Sequence, residues 1–180
     1  MKKNMIVINS SERINGNSEI LVSEFVKGAR ENNNVEVINL RELNYGFCKG
    51  CLACQSTKKC ILKDDISNVI DKVCNADILV FATPIYYYSI SGQLKTFLDR
   101  MNPLYVADYK YREVYLFTAC ADSSSNAMDV AINEINGWIS CFNGVELKGT
   151  LCGTSSTGIG DINKQTEILK KAYEIGRNIK

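Results

Sequence analysis

The chain contains no histidine. Ser-His-Asp and Cys-His catalysis within one chain are therefore excluded, as is any His-ligated metal. A marked charge imbalance is absent too. The 21 basic residues are scattered against 20 acidic ones, for a net charge of +1. Neither a nucleic-acid footprint nor a membrane-binding face is expected. No apolar run approaches bilayer-spanning length. The opening, MKKNMIVINSS, has two lysines but an apolar stretch too short for a signal-peptide core, and it reads as a first strand. A cytoplasmic protein is the expectation. The cytosol keeps thiols reduced, so the eight cysteines are not expected to form structural disulfides. Internal repeats, low-complexity segments and linkers are also missing. Residues 1–180 therefore read as one domain, large enough to bury its own core.

What is present is an alternation of strands and helices. Strands are expected at Met5–Asn9, Val35–Leu40, Ile78–Ala82, Glu113–Ala121 and Val145–Cys152. The first and third are continuous apolar runs, as strands buried on both faces require. Helical spacing covers residues 17–31, 65–74, 93–101, 126–142 and 163–178, with Asn17 or Ser18 as a cap for the first. Five strands alternating with five helices predict a three-layer α/β sandwich: a parallel sheet covered on both faces. The length favours the flavodoxin-like strand order 2-1-3-4-5. Ligands then bind at the carboxyl ends of the strands, which directs attention to the loops after strands 1, 3 and 4.

The loop after strand 1 reads NSSERINGNS (9–18). It runs into a helix N-terminus, whose unpaired N–H groups suit a phosphate. Ser11, Asn17 and Ser18 add side-chain donors and Arg13 adds charge. An ordinary capped turn needs the same residue types, so both readings stand at this point. The loop is neither a G-x-x-x-x-G-K-[ST] nor a G-x-G-x-x-G element. After strand 3 comes TPIYYYSISGQLKTFLDR (83–100). Three consecutive tyrosines in a loop suit either a planar heteroaromatic ligand or an aromatic cluster at a helix start or dimer contact.

This segment resembles the flavin-contacting stretch of the NAD(P)H-dependent FMN reductase family. SERINGNS resembles that family's phosphate loop. The likeness continues through C-x-x-C-x-x-C to Cys60, Asp64 and Asp65, and to Gly160, Asp161 and Ile162. It implies a flavodoxin-like fold, FMN as cofactor and NAD(P)H as co-substrate. By that likeness Ser11, Arg13, Asn15, Asn17 and Ser18 hold the phosphate. Pro84, Ile85, Tyr86, Tyr87, Tyr88 and Ser89 line the ring, largely through backbone groups. Ala119, Cys120 and Ala121 face its other edge. No titrating side chain is then needed, because the flavin carries the hydride and the protein binds, orients and tunes it. Two departures from the family pattern are Ser10 for glycine and Glu12 for proline. Glu12 is expected to point away from the phosphate. The family also implies a homodimer or homotetramer, with Tyr86–Tyr88 and the region of Tyr105, Tyr109 and Tyr111 as contacts.

Cys48, Cys51, Cys54 and Cys60 are spaced C-x2-C-x2-C-x5-C. Such a run suits a [4Fe–4S] cluster, as in bacterial ferredoxins. Zinc usually takes two knuckles separated by a longer loop. Within the family the spacing is similar to that of the iron–sulfur flavoprotein branch. Free or reversibly oxidised thiols beside the flavin are the alternative, including a Cys51/Cys54 pair if a helix begins there. Asp64 and Asp65 are expected to cap the next helix. Cys74, Cys120, Cys141 and Cys152 are expected to be small core residues. The electron acceptor is expected to be a small molecule such as a quinone, or a ferredoxin-like protein. A non-enzymatic electron carrier and a flavin-based redox sensor are the rival functions.

Overall fold

The computed structural model describes residues 1–180. Its strands are β1 (Asn4–Asn9), β2 (Asn34–Asn39), β3 (Ile78–Pro84), β4 (Glu113–Ala119) and β5 (Glu146–Gly153). They form one parallel sheet in the order β2-β1-β3-β4-β5. The flavodoxin-like order expected from the alternation is thus the one found. The helices are α1 (Asn17–Ala29), α2 (Ala53–Thr57), α3 (Ile66–Asn75), α4 (Gly92–Arg100), α5 (Asp129–Ile139) and α6 (Thr166–Asn178). No helix is long and apolar enough to cross a membrane.

The period of two along each strand decides which layer a residue joins. Met5 and Val7 of β1 enter a core with Val80 and the apolar faces of α1 and α6. Ile6 and Ile8 enter the opposite core, with Leu79, Phe81 and the faces of α3, α4 and α5. Both faces are dry, which is why β1 and β3 are uninterrupted apolar runs. The closest helix approach is α1 on α6. A Cβ on Gly28 would lie 2.1 Å from the Tyr173 carbonyl oxygen, and one on Gly176 would lie 2.1 Å from that of Phe25. Only glycine permits this backbone-to-backbone approach.

Several expectations from sequence are corrected. Gly16 stands at the cap position of α1, while Asn17 and Ser18 are already helical. Asp65 does stand at the N-cap position of α3, but its side chain makes no capping hydrogen bond. Asp65 instead accepts from the Asn44 N–H at 2.7 Å, and Asp64 turns to Arg100. Tyr111 is fully buried and belongs to the core, so it is no subunit contact. It stacks with Trp138 and tilts against Tyr109. Cys120 is buried, but Cys141 is exposed and Cys74 and Cys152 are half-buried. Helix α2 has no counterpart among the expected helices. Left-handed residues bracket it, Leu52 (φ 56°) and Lys58 (φ 59°). Neither is glycine, so the sequence does not announce the turns.

Candidate functional site

The carboxyl ends of the strands frame a partly open cavity of about 220 Å³, at the place where a doubly wound sheet binds its ligands. Ser11, Arg13, Gly16, Asn17 and Ser18 form one end, while Pro84, Ile85 and Tyr86 lie opposite Ala119, Cys120 and Ala121. Ser156 and Thr157, from the loop after β5, close the wall. Sequence reading missed these two, as well as Gly16. Their loop carries no recognisable signature, and only the return of the chain over α1 brings it here. Asn15, Tyr87, Tyr88 and Ser89 do not line the cavity.

The α1 end is built to receive an anion. The N–H groups of Asn17, Ser18 and Glu19 open the helix and have no protein acceptor. The Ser18 hydroxyl is buried and also lacks a partner. An unsatisfied buried hydroxyl costs about 1–3 kcal/mol, so a bound acceptor is the natural resolution. The Asn17 side chain is committed elsewhere. Its amide donates to the carbonyls of Ser156 (3.2 Å) and Gly158 (2.8 Å), and its oxygen accepts from the Ile162 N–H (3.2 Å). Asn17 therefore clamps the 156–162 loop and offers a ligand its backbone N–H. Arg13 reaches across to the Thr157 carbonyl at 3.1 Å. Asn15 takes a left-handed turn (φ 57°), and its N–H donates to Glu19. Arg41 braces the loop from the β2 side, donating to the Ser11 carbonyl (3.1 Å) and to Glu19 (2.8 Å). Glu12 lies outside this cavity, in a groove with Tyr45 and Phe47. Burial first, and the nearby Glu12 charge second, push the Tyr45 phenol up to about 12.

The other end rests on a strained turn. Tyr86 and Ser89 exchange both backbone hydrogen bonds at 3.1 Å, and Tyr87 and Tyr88 between them have φ 51° and 66°. Such a two-residue hairpin normally carries Asn-Gly. Tethers hold it from two sides. Glu134 of α5 accepts from the Ser89 hydroxyl (2.6 Å) and the Ile90 N–H (2.9 Å). The Tyr88 hydroxyl donates to Asp122 (3.0 Å). Hydrogen bonds from Ser124 first, then Tyr88, hold the Asp122 carboxyl below its usual range. A buried hydroxyl chain runs beneath the cavity: Ser91 donates to Ser10, which donates to the Ala82 carbonyl. Cys120 presents a neutral thiol, pushed up to about 12 by burial first and by Cys152, 3.8 Å away, second. The lining thus combines an anion cradle with an apolar wall and no group suited to acid–base work near pH 7. It can hold and orient a planar phosphorylated ligand, and chemistry has to reside in that ligand. The residues present fit FMN.

The four clustered cysteines line a second, much smaller cavity, together with Arg100, Asn102 and Pro103. The two cavities share no lining residue. Helix α4 separates them. Ser91 caps it beside the first cavity, and its nine residues at about 1.5 Å each place Arg100 about 13 Å further along. The cysteines thus line a cavity of their own rather than the one at the strand ends. No three Cys, Asp or Glu side chains converge on a point suited to a single metal ion. That disfavours zinc, which draws four ligands to about 2.0–2.3 Å of one centre. A cubane cluster instead takes its thiolates on separate corners, and four cysteines lining one cavity supply its donor set. Cys51 precedes α2 and Cys54 lies within it, so the two do not share a helical turn.

The sequence profile described as NADPH-dependent FMN reductase matches residues 4–149. The chain belongs to that family. It is therefore an FMN-dependent NAD(P)H oxidoreductase by family, and its fold is flavodoxin-like. An iron–sulfur flavoprotein of Methanocaldococcus jannaschii is 30% identical over 135 residues, covering 74% of this chain and 70% of that one. YwqN of Bacillus subtilis, described as an NAD(P)H-dependent FMN-containing oxidoreductase, is 26% identical and covers 94% of both chains. Among solved structures, an NAD(P)H:quinone oxidoreductase from Methanothermobacter marburgensis superposes with a TM-score of 0.77. It covers 99% of this chain and 96% of that one at 16% identity, which speaks to the fold.

Proposed function

We propose that the protein binds FMN in the cavity at the strand ends and uses NAD(P)H to reduce a small quinone-like acceptor. The unpartnered, buried Ser18 hydroxyl within the α1 cradle carries this reading. Bound there, FMN supplies the hydride and electron transfer. The chain's own residues do the rest. The N–H groups of Asn17, Ser18 and Glu19, with Ser11 and Arg13, hold the phosphate and fix the ligand's register. Pro84, Ile85 and Tyr86 on one side, with Ala119, Cys120 and Ala121 on the other, hold the ring and exclude water. Glu134 and Asp122 keep the Tyr86–Ser89 turn in place.

The test is titration of apoprotein with FMN and with riboflavin, which lacks the phosphate. FMN is expected to bind far more tightly. Ser18→Ala is expected to weaken FMN about tenfold and leave riboflavin unchanged. It should also leave the apoprotein equally stable or about 1 kcal/mol more stable, since an unsatisfied hydroxyl has gone. Equal affinity for the two flavins would sink the assignment of the cradle. No NAD(P)H oxidation with any quinone would leave the electron-carrier rival standing.

A second proposal concerns Cys48, Cys51, Cys54 and Cys60 as ligands of a [4Fe–4S] cluster that passes electrons to a ferredoxin-like protein. Their common cavity supports it. So does the collar around that cavity: exposed Phe47, Leu52 and Ile61 among exposed Lys49, Lys58 and Lys59. Apolar contacts ringed by positive charge suit a small acidic partner. Iron and sulfide analysis of anaerobically purified protein tests the cluster, and absence of both rejects it. The fully exposed Tyr87 supports a homodimer or homotetramer in the cytoplasm, which light scattering at micromolar protein tests.

A further inference from the structure

We propose that Arg100 and Asn102 are positioning residues of the cysteine centre, fixing its thiolates and raising its reduction potential. The proposal rests on the cluster reading above. Three of the four sulfurs each receive an N–H donor. The Asn102 amide donates to Cys54 Sγ at 3.2 Å, Arg100 Nη2 donates to Cys60 Sγ at 3.5 Å, and the Gly50 N–H donates to Cys48 Sγ at 3.5 Å. Cys51 receives none.

Arg100 is an unusual residue to find here. Its side chain is fully buried, yet it lies at the end of a helix whose other charged residues, Lys95 and Asp99, are solvated. Burying a guanidinium is unfavourable unless it is paired and hydrogen-bonded. Asp64 meets it with two oxygens, at 2.6 and 2.8 Å, and the Gly46 carbonyl accepts at 2.8 Å. One N–H of the fork goes to Cys60, and Nε remains buried with no acceptor. A purely structural ion pair has no need to line a cavity with four thiols. Here the pair fixes the guanidinium so that its positive edge faces sulfur.

The physical consequence has a definite sign. A centre with four thiolates is anionic, and it gains a further negative charge on reduction. Hydrogen bonds to its sulfurs and a nearby fixed cation favour the more negative state, which raises the potential. Arg100 and Asn102 therefore favour the reduced form. A neighbour that only shaped the loop would change loading without moving the potential.

The experiment compares wild type, Asn102→Leu and the double variant Arg100→Met/Asp64→Asn, each loaded anaerobically. The double variant avoids stranding one buried charge. Iron and sulfide are quantified first, and the cluster is then titrated with a reductant and followed by electron paramagnetic resonance. At fixed poise, the reduced-to-oxidised ratio in Asn102→Leu is expected to fall about threefold. In the double variant it should fall about tenfold, or about 59 mV for a one-electron couple. If the double variant does not fold or load, Asn102→Leu decides alone, because its half-buried side chain is easily replaced. Full loading with unchanged potentials overturns the proposal and leaves the cluster reading intact. A wild type that takes up neither iron nor sulfide removes both.

Discussion

Replacing Tyr87 with glycine should make the apoprotein more stable. Tyr87 is completely exposed and has φ 51°. A left-handed conformation costs a non-glycine residue about 1–2 kcal/mol. Glycine escapes that strain but adds about 0.5–1 kcal/mol of unfolded-chain entropy. The net gain is about 0.5–1 kcal/mol, because so exposed a ring contributes no packing to the monomer. Unfolding entropy of about 2.1 cal/mol/K per residue turns this into a rise of about 1–3 °C in Tm for 180 residues. Calorimetry on apoprotein reads it directly. Tyr86→Gly is the control. Tyr86 has no positive φ and lines the cavity, so glycine there should lower Tm. FMN affinity should change less than about twofold in Tyr87→Gly, because the side chain lies outside the cavity and the backbone is retained. A lower Tm would refute the strain argument. A tenfold loss of FMN affinity would show that the Tyr87 ring, not the backbone, meets the ligand. Strain retained against such an easy remedy points to a role outside the folded monomer.

Gly176→Ala should destabilise by about 3 kcal/mol or more, because its Cβ meets the Phe25 carbonyl oxygen and neither helix backbone can yield. Gly137→Ala on α5, with open space around it, should instead stabilise by about 1 kcal/mol, and urea unfolding separates the two. The Arg100 hydrogen bonds hold the Asp64 carboxyl below its usual range. A depressed folded pKa contributes stability that is fully present above the unfolded value of about 3.9 and is lost as pH falls through the folded value. Unfolding midpoints should therefore drop below about pH 4. Asp64→Asn should flatten that decline and cost about 3–5 kcal/mol at pH 7, where it strands Arg100; an unchanged acid profile would contradict the pairing.

The sheet was legible because its strands are buried on both faces and its helices follow a 3.6-residue period. Ile78–Ala82 can be little else. Local exceptions were not legible. Asn17 looks like a cap, but its amide is drawn to the 156–162 loop, which is 139 residues or more away in sequence. Ser156 and Thr157 look like any turn. Glu134 is one of several polar positions on α5, and only the fold reveals that it tethers Ser89. Each miss is a long-range interaction made by a residue whose type has a commoner local use. The aromatic turn was found by composition, while its strain was invisible without backbone angles.

Arg100 shows how far motif and geometry can part. In the sequence it closes the same segment as Pro84 and Tyr86, so a likeness to a flavin-contacting stretch assigns all of them to one ligand. The βαβ crossover forbids that, because a helix following a parallel strand must run back toward the sheet's other end. Helix α4 therefore starts at the FMN cavity and delivers Arg100 to the cysteine loop, where it meets Asp64 from a separate motif. One helix is thus fastened at both ends: Ser91 to the hydroxyl chain beneath the cavity, and Arg100 to the cysteine loop.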